Sequence, residues 1–245
     1  MTTRLIPILL LTNNGLVKTL NFQSPRYVGD PINAVKIFNT KEVDELVFLD
    51  ISKERHSDGP NYQQIKEIAS EAFMPFGYGG GITTLQQAEK IFSIGVEKII
   101  INSSFWANPR LVSSIAEKFG EQSVVVSIDV KKKMFGGYSV FSHSGNINVT
   151  LSPLEAALKA EEYGAGEIIL NSIDKDGTLS GYDLDLIKSV ATHLKIPLVA
   201  SGGGSSIENF KEALNAGADA LAAGAFFVFH GKHKAILITY PNVKL

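Results

Sequence analysis

Two clusters of three glycines are the residues in this sequence best suited to bind an anion. The first is Gly79-Gly80-Gly81 and the second is Gly202-Gly203-Gly204, and each follows a short apolar run and precedes polar helix-starting residues. Glycines at such a position leave backbone N–H groups uncovered at a helix N-terminus, where a phosphate group binds well. A tight turn without a ligand is the alternative for a single cluster. Two clusters in matching contexts favour phosphate binding.

Ionisable side chains lie near the ends of three of the apolar runs. Lys18 follows the first run, Asp50 lies at the end of the second, and Asp129 ends the fifth. These runs are as long as β-strands and show little alternation of apolar and polar residues, which is typical of buried parallel strands. We therefore expect polar side chains where the strands end.

Eight such runs alternate with segments that carry helix-starting signals, for example Asp30-Pro31 and Ser152-Pro153. Eight βα units without a low-complexity linker predict an α/β fold, a TIM (β/α)8 barrel that forms one domain over residues 1–245. A hairpin insertion that turns at Gly136-Gly137 is predicted over 131–141. The eight runs are 5–11, 45–51, 75–78, 96–102, 124–129, 166–171, 197–200 and 218–224.

The two halves of the chain repeat each other. The glycine clusters lie 123 residues apart, and the segments Ile94–Lys98 and Ala216–Ala220 match at an offset of 122. This repeat predicts two half-barrels, over about 1–120 and 121–245. It also predicts two pseudo-symmetric phosphate sites across the barrel mouth and a ligand with a phosphate at each end.

Composition excludes several classes of protein. The net charge of −2 gives no basic field for nucleic acid or a membrane surface. The 245-residue chain has no cysteine, which excludes disulfides, thiolate nucleophiles and cysteine-based zinc sites. The N-terminus lacks a signal-peptide pattern, and the run 5–11 is too short to span a bilayer. We expect a cytoplasmic protein without a cofactor or a bound metal.

Over essentially its whole length, the chain resembles the cyclase subunit of imidazole glycerol phosphate synthase, the HisF family. The run Ser172–Thr178 separates that family from the sister isomerase of histidine biosynthesis, which shares its fold. The other matching segments are Asn21-Phe22, Asp44–Ile51, Gly79–Ile82, Ile101–Ser103, Val124–Asp129, Gly164–Ile168 and Ala200–Gly203.

The resemblance implies a glutaminase partner that docks at the N-terminal face of the barrel. Ammonia made there travels through the barrel and reacts at the opposite face with a bisphosphorylated ribulosyl imidazolecarboxamide. The products are imidazole glycerol phosphate and an aminoimidazole ribotide. The counterparts of the family's four-charge ammonia gate are Arg4, Glu45, Lys98 and Glu167. Surface ion pairs at strand starts are the alternative for these four residues.

The resemblance also assigns ligand-binding and catalytic residues, with one important departure. Lys18 and Asp129 occupy catalytic positions, but Leu10 stands where the family has the second catalytic aspartate. Asn171 replaces a usual threonine, and Gly224-Ala225 replaces a small polar pair. The positions implied to bind phosphate or substrate are Asp50, Gly80, Gly81, Asn102, Ser103, Asn171, Asp176, Gly177, Ser201, Gly202, Gly203, Gly224 and Ala225.

Leucine can neither donate nor accept a proton, so three functions remain open. The favoured one is a paralogue with little or no ring-closing activity that supplies ammonia for another amidation, such as that of sugars for surface polysaccharides. The second is a functional cyclase that works with Asp129 alone, or with a water placed by Lys18 and Asn102. The third is a non-catalytic phosphosugar-binding activator of the glutaminase.

Overall fold

Eight parallel strands form a closed ring in the part of the chain that the structure describes. The structure is a computed structural model that describes residues 3–231 and 233–241, so positions 1–2, 232 and 242–245 of the expected domain lie outside it. The ring closes because β8 pairs with β1, with Arg4 beside Ala220, and the predicted (β/α)8 barrel is confirmed. The strands are β1 (Arg4–Thr12), β2 (Leu46–Asp50), β3 (Phe76–Gly79), β4 (Lys98–Ile101), β5 (Val124–Lys132), β6 (Glu167–Ser172), β7 (Leu198–Ser201) and β8 (Ala220–Ala223).

Helices follow the strands and cover the outside of the ring. Asp30 caps the first helix by accepting a hydrogen bond from the Asn33 backbone N–H, and Thr84 and Ser152 form capping boxes. The helices are α1 (Pro31–Thr40), α2 (Arg55–Asp58), α3 (Tyr62–Glu71), α4 (Leu85–Ile94), α5 (Ser103–Ala107), α6 (Arg110–Phe119), α7 (Pro153–Glu162), α8 (Leu184–Ala191), α9 (Ile207–Asn215) and α10 (Ala225–Val228).

The barrel has two apolar layers because successive side chains of a strand point to opposite faces. The larger layer lies between the strands and the helices and includes Phe48, Tyr78 and Phe105. The smaller layer fills the barrel interior and consists of Ile6, Ile8, Val47, Ile100, Val125, Ile169, Val199, Ala220 and Ala222. Residues of even number on β1 therefore face the interior, and Leu10 is the next of them toward the mouth.

Two hairpins rise from the carboxyl ends of the strands. The predicted hairpin is confirmed: β5 continues to Lys132 and pairs with the strand Tyr138–Ser142. A second hairpin follows β1 and consists of the strands Gly15–Leu20 and Gln23–Gly29. The sequence did not predict the latter strand, because its first five residues are exposed and carry no apolar pattern.

Several predicted elements differ from the observed ones at their ends. The strand predicted over 218–224 covers only Ala220–Ala223, and the polar loop after Ile51 contains the short helix α2. Apolar periodicity continues past the last hydrogen bond of an element, so it locates element ends poorly. Among the described residues, no helix combines the length and the apolar character that crossing a membrane requires.

Candidate functional site

Asp129 lies at the carboxyl end of β5 in a clamp of two asparagines. The side-chain amide of Asn102 donates a hydrogen bond to Asp129 Oδ2 over 2.9 Å, and that of Asn171 donates one to Oδ1 over 3.1 Å. Burial raises the pKa of Asp129 to about 7, although the two amides lower it. A carboxyl group with this pKa exchanges a proton readily near neutral pH, which suits a general acid or base.

On the opposite side of the mouth, the described residues of β1 and β2 present leucines and no inward-facing carboxyl group. Leu10 on β1 lies beside Leu49 on β2, and both side chains pack half-buried against the interior apolar layer. Gly79 on β3 makes room for Leu49, because a Cβ atom at position 79 would lie 2.9 Å from Leu49 Cδ2. The mouth is therefore apolar along β1, β2 and β3 and polar around Asp129.

Lys18 extends into the mouth from the hairpin that follows β1. Its Nζ donates a hydrogen bond to the backbone carbonyl of Ile8, and only 6% of the residue is exposed. Burial lowers the pKa of Lys18 to about 8, and the nearby carboxylate of Asp176 raises it in part. The amine therefore lies close to the barrel interior.

Asp176 connects this hairpin to the loop after β6. Its Oδ2 accepts a hydrogen bond from Thr19 Oγ1 over 2.7 Å and one from the Phe22 backbone N–H over 3.3 Å. Gly177 has a φ of +69°, and a Cβ atom there would collide with the Thr19 carbonyl. This segment thus supports the hairpin that carries Lys18, whether or not it also contacts a ligand.

The two glycine clusters occupy equivalent places beyond β3 and β7. Gly80 and Gly81 have positive φ angles of +136° and +68°, and Gly202 and Gly203 have +92° and +98°. A Cβ atom at Gly80 would lie 2.6 Å from the Asp50 carbonyl, and one at Gly202 would lie 2.6 Å from the Ser172 carbonyl. Close backbone packing therefore requires glycine at both places, in addition to any anion binding.

The remaining expected ligand residues lie around the same opening. Ser201 ends β7 beside Asn171, while Gly224 and Ala225 join β8 to α10. Ser103 begins α5, and its hydroxyl accepts a hydrogen bond from the His143 backbone N–H over 3.1 Å. The structure thus brings Asn171, Ser201 and Gly224 to the ends of the neighbouring strands β6, β7 and β8.

Asp50 is the expected ligand residue that points elsewhere. Its carboxylate lies on the outer side of β2, where it accepts a hydrogen bond from the Ser52 backbone N–H over 3.0 Å. Arg55 Nε lies 3.5 Å from Asp50 Oδ2, and the Tyr78 hydroxyl donates to the same oxygen over 3.5 Å. Asp50 thus anchors the loop before α3 in this structure and does not meet Asp129.

Four charged residues form a closed ring where the strands begin. Arg4 Nη1 pairs with Glu45 over 2.6 Å, and Arg4 Nη2 pairs with Glu167. Lys98 Nζ lies 3.0 Å from Glu45 and 3.3 Å from Glu167. The ring alternates in sign and covers the base of the interior apolar layer. The charges of the expected gate therefore meet one another in a single network.

Sequence reasoning missed three residues that shape the site. Thr19 holds Asp176, while Arg55 and Tyr78 hold Asp50. Arg55 lies in a polar stretch without periodicity, and nothing in its spacing relates it to Asp50. Thr19 follows Lys18 on the same strand of the hairpin after β1. Recognition of that hairpin in the sequence could therefore have revealed it.

These features define a (β/α)8 barrel with its candidate site at the carboxyl ends of the strands, the usual place in this fold. The family model for histidine biosynthesis protein matches residues 4–234. A Pseudomonas aeruginosa protein, provisionally named imidazole glycerol phosphate synthase subunit hisF2, is 54% identical across 98% of this chain and 96% of its own length. A Vibrio vulnificus protein, provisionally named subunit hisF3, is 45% identical across 98% and 93%.

Imidazole glycerol phosphate synthase subunit HisF of Streptomyces avermitilis is 39% identical across 92% of this chain and 90% of its own length. The chain therefore belongs to the histidine biosynthesis protein family, as a divergent member of its HisF group. The resemblance found in the sequence is confirmed.

Asp129 makes the stability of the fold depend on pH. Its folded pKa of about 7 lies above the unfolded value near 4, so its favourable contribution is complete below pH ~4 and is lost as the pH rises through 7. Asn cannot ionise, so Asp129→Asn should gain about 2 kcal/mol of stability relative to wild type between pH 5 and pH 8. Urea unfolding at both pH values measures this difference. The exposed Asp58→Asn is the control, and an equal response of both variants would contradict the burial argument.

The charge ring also contributes to the free energy of unfolding, and this contribution can be measured. Glu167→Gln leaves Arg4 and Lys98 with a single carboxylate between them, so the variant should lose about 2 kcal/mol of unfolding free energy. This value is reduced because the Arg4 and Lys98 side chains are 30% and 21% exposed. Glu89→Gln breaks the exposed 2.6 Å pair with Lys118 and should cost less than about 1 kcal/mol. Equal losses would show that the ring is only a set of surface pairs.

Proposed function

We propose that this chain is the synthase-type subunit of a glutamine amidotransferase pair. It receives ammonia from a glutaminase through its barrel. It delivers this ammonia to an acceptor other than the cyclase substrate. The observation that carries this proposal is Leu10, which faces the mouth on β1 where ring closure in the family uses an aspartate. General acid–base help is worth about 10²–10⁴-fold in rate. Ring closure should therefore be slow or absent.

The two ends of the barrel support the transfer of ammonia. The ring of Arg4, Glu45, Lys98 and Glu167 lies at the strand starts, and the apolar layer separates it from Asp129. An apolar interior favours neutral ammonia over the charged ammonium ion, because an unpaired charge is costly to bury. Ammonia that enters at the ring would therefore cross the barrel as a neutral molecule.

The acceptor proposed for this ammonia is a sugar used in surface polysaccharide synthesis, through a separate amidotransferase. The glycine clusters would hold a phosphorylated ligand at the mouth, since both retain the positive φ angles that such loops use. A functional cyclase is the second candidate, and it is favoured by the retained clamp on Asp129. A non-catalytic activator of the glutaminase is the third.

Ring closure with excess ammonium as the nitrogen donor tests the missing acid. On the bisphosphorylated ribulosyl imidazolecarboxamide, we expect the wild-type chain to turn over about 10²–10⁴-fold more slowly than an ordinary cyclase. Leu10→Asp should raise this rate by about 10-fold or more, because it places a carboxyl group across from Asp129. Leu49→Asp is the matched control, since Leu49 lies beside Leu10 on the wrong strand and should give no gain. Wild-type turnover at the rate of an ordinary cyclase would refute the favoured proposal and support the second candidate.

The glutaminase is expected to cover the ring and an adjacent groove. This groove has a volume of about 710 Å³ and is lined by Phe92, Val96, Phe119 and Lys98 of the ring, among others. Ser93 also lines the groove and is exposed, so Ser93→Arg should weaken binding of the glutaminase from the same organism at least about tenfold, or 1.4 kcal/mol. Gln86→Arg, at the other end of α4, should leave the Kd unchanged. Calorimetry compares the two variants, and equal affinities would place the partner elsewhere.

A further inference from the structure

Lys18 is a buried cation, and no carboxylate in the described part of the chain lies at ion-pair distance from it. In residues 3–231 and 233–241, the ion pairs of lysine and arginine involve Arg4, Lys36, Arg55, Lys98 and Lys118, but not Lys18. Desolvation of a charged amine costs several kcal/mol unless a counter-ion compensates for it. A buried amine in this position is suited to react in its neutral form.

Gly224 is the residue that leaves space for the amine of Lys18. A Cβ atom at Gly224 would collide with Lys18 Nζ, so the amine lies directly over the bare Cα of that glycine. Gly224 begins the loop after β8, next to β7 and its glycine cluster. A ligand with a phosphate at these loops would therefore have its first carbon atoms close to the amine.

Two carboxyl groups complete the arrangement. Asp176 acts electrostatically on both Lys18 and Asp129, which places all three ionisable groups around one opening. Arg26 lies opposite Lys18 on the neighbouring strand of the hairpin, but its guanidinium points to the Phe229 ring, 5.4 Å from the ring centre. The amine thus faces a carbonyl, a glycine and a distant carboxylate, while Asp129 offers a proton at neutral pH.

We propose that Lys18 forms an imine with the carbonyl carbon of a phosphorylated sugar bound at the mouth. The lone pair of Nζ attacks the carbonyl carbon and forms the C–N bond. The carbonyl oxygen becomes a hydroxyl group, takes up a proton from Asp129 and leaves as water. The nitrogen keeps one proton, so the product is an iminium ion, and the negative charge left on Asp129 offsets its positive charge.

This step would give the delivered ammonia an electrophile, and in this respect it rests on the proposed function. Ammonia adds to the iminium carbon, the bond to Nζ breaks, and the electron pair returns to Lys18. The amine is restored and the sugar leaves as its protonated imine. An iminium carbon is already activated, so the absence of an acid at Leu10 would matter less than it does in ring closure.

Reductive trapping on the full-length chain tests the proposal. The probe is ribulose 5-phosphate with cyanoborohydride at pH 7.5, followed by peptide mapping of every lysine. At this pH the buried amine has a neutral fraction roughly two hundred times that of an ordinary lysine, because its pKa is about 8 and not about 10.5. We expect the adduct on Lys18, and we expect excess inorganic phosphate to suppress it. Its rate should pass through a maximum near pH 7.5, because the step needs both the neutral amine of Lys18 and the protonated carboxyl group of Asp129.

Two variants provide the controls. Lys18→Arg keeps the charge and should abolish the adduct, while Lys131→Arg, two residues after Asp129 on β5, should keep it. The melting temperature of Lys18→Arg reveals whether this variant folds. If it folds poorly, peptide mapping of the trapped wild-type chain still decides the outcome. No adduct, or an adduct spread over exposed lysines without preference for Lys18, overturns the proposal. The ring-closure assay on Leu10→Asp is independent of this result, so failure of one proposal is distinguishable from failure of the other.

Discussion

Closure of the sheet between β8 and β1 is the constraint on which the rest of the structure depends. Because β1 pairs with a strand on each side, it cannot slip by one residue without moving every interior side chain to the outer layer. Position 10 must therefore face the mouth, and position 11 must face the helices. The same alternation sends Asp129 inward and Asp50 outward, although both carboxylates end apolar strands. The chemistry available at the mouth thus depends on which residue near the end of each strand points its side chain inward.

Burial in the mouth has opposite effects on its two main ionisable groups. It raises the pKa of Asp129 to about 7 and lowers the pKa of Lys18 to about 8, so each approaches its neutral form at physiological pH. The apolar wall of Leu10 and Leu49 adds to the low polarity of this opening. A carboxyl group and an amine that exchange protons near pH 7 can still perform proton transfer. The mouth therefore contains groups capable of proton transfer, although Leu10 is not one of them.

The sequence predicted the barrel well because the eight apolar runs are long, regularly spaced and separated by helix-starting signals. It also predicted the hairpin after β5, since Gly136-Gly137 is a strong turn signal, and the family, which the comparisons confirm. It did not predict the strand Gln23–Gly29, whose residues are largely exposed. Nor could it predict the clamp of Asn102 and Asn171 on Asp129, or the contact of Lys18 with Gly224. These contacts depend on distances between strand ends and on the return of a hairpin, which residue spacing does not encode. The half-barrel repeat and the phosphate sites stay predictions.

The two ends of the barrel place different demands on the chain. At the base, four partly buried charges compensate one another, because each has two partners of opposite sign and removal of any one leaves its two neighbours with a single partner in a poorly solvated place. A hydrophobic replacement of such a network is often as stable as the network itself. Stability alone therefore does not account for these four charges, and the proposed entry of ammonia at the ring would give them a role. At the mouth, by contrast, Leu10 offers no proton-transfer group, while Asn102 and Asn171 hold Asp129. Under the proposed function, the charge ring at the base and Leu10 at the mouth together suit the chain better to conducting ammonia than to closing a ring.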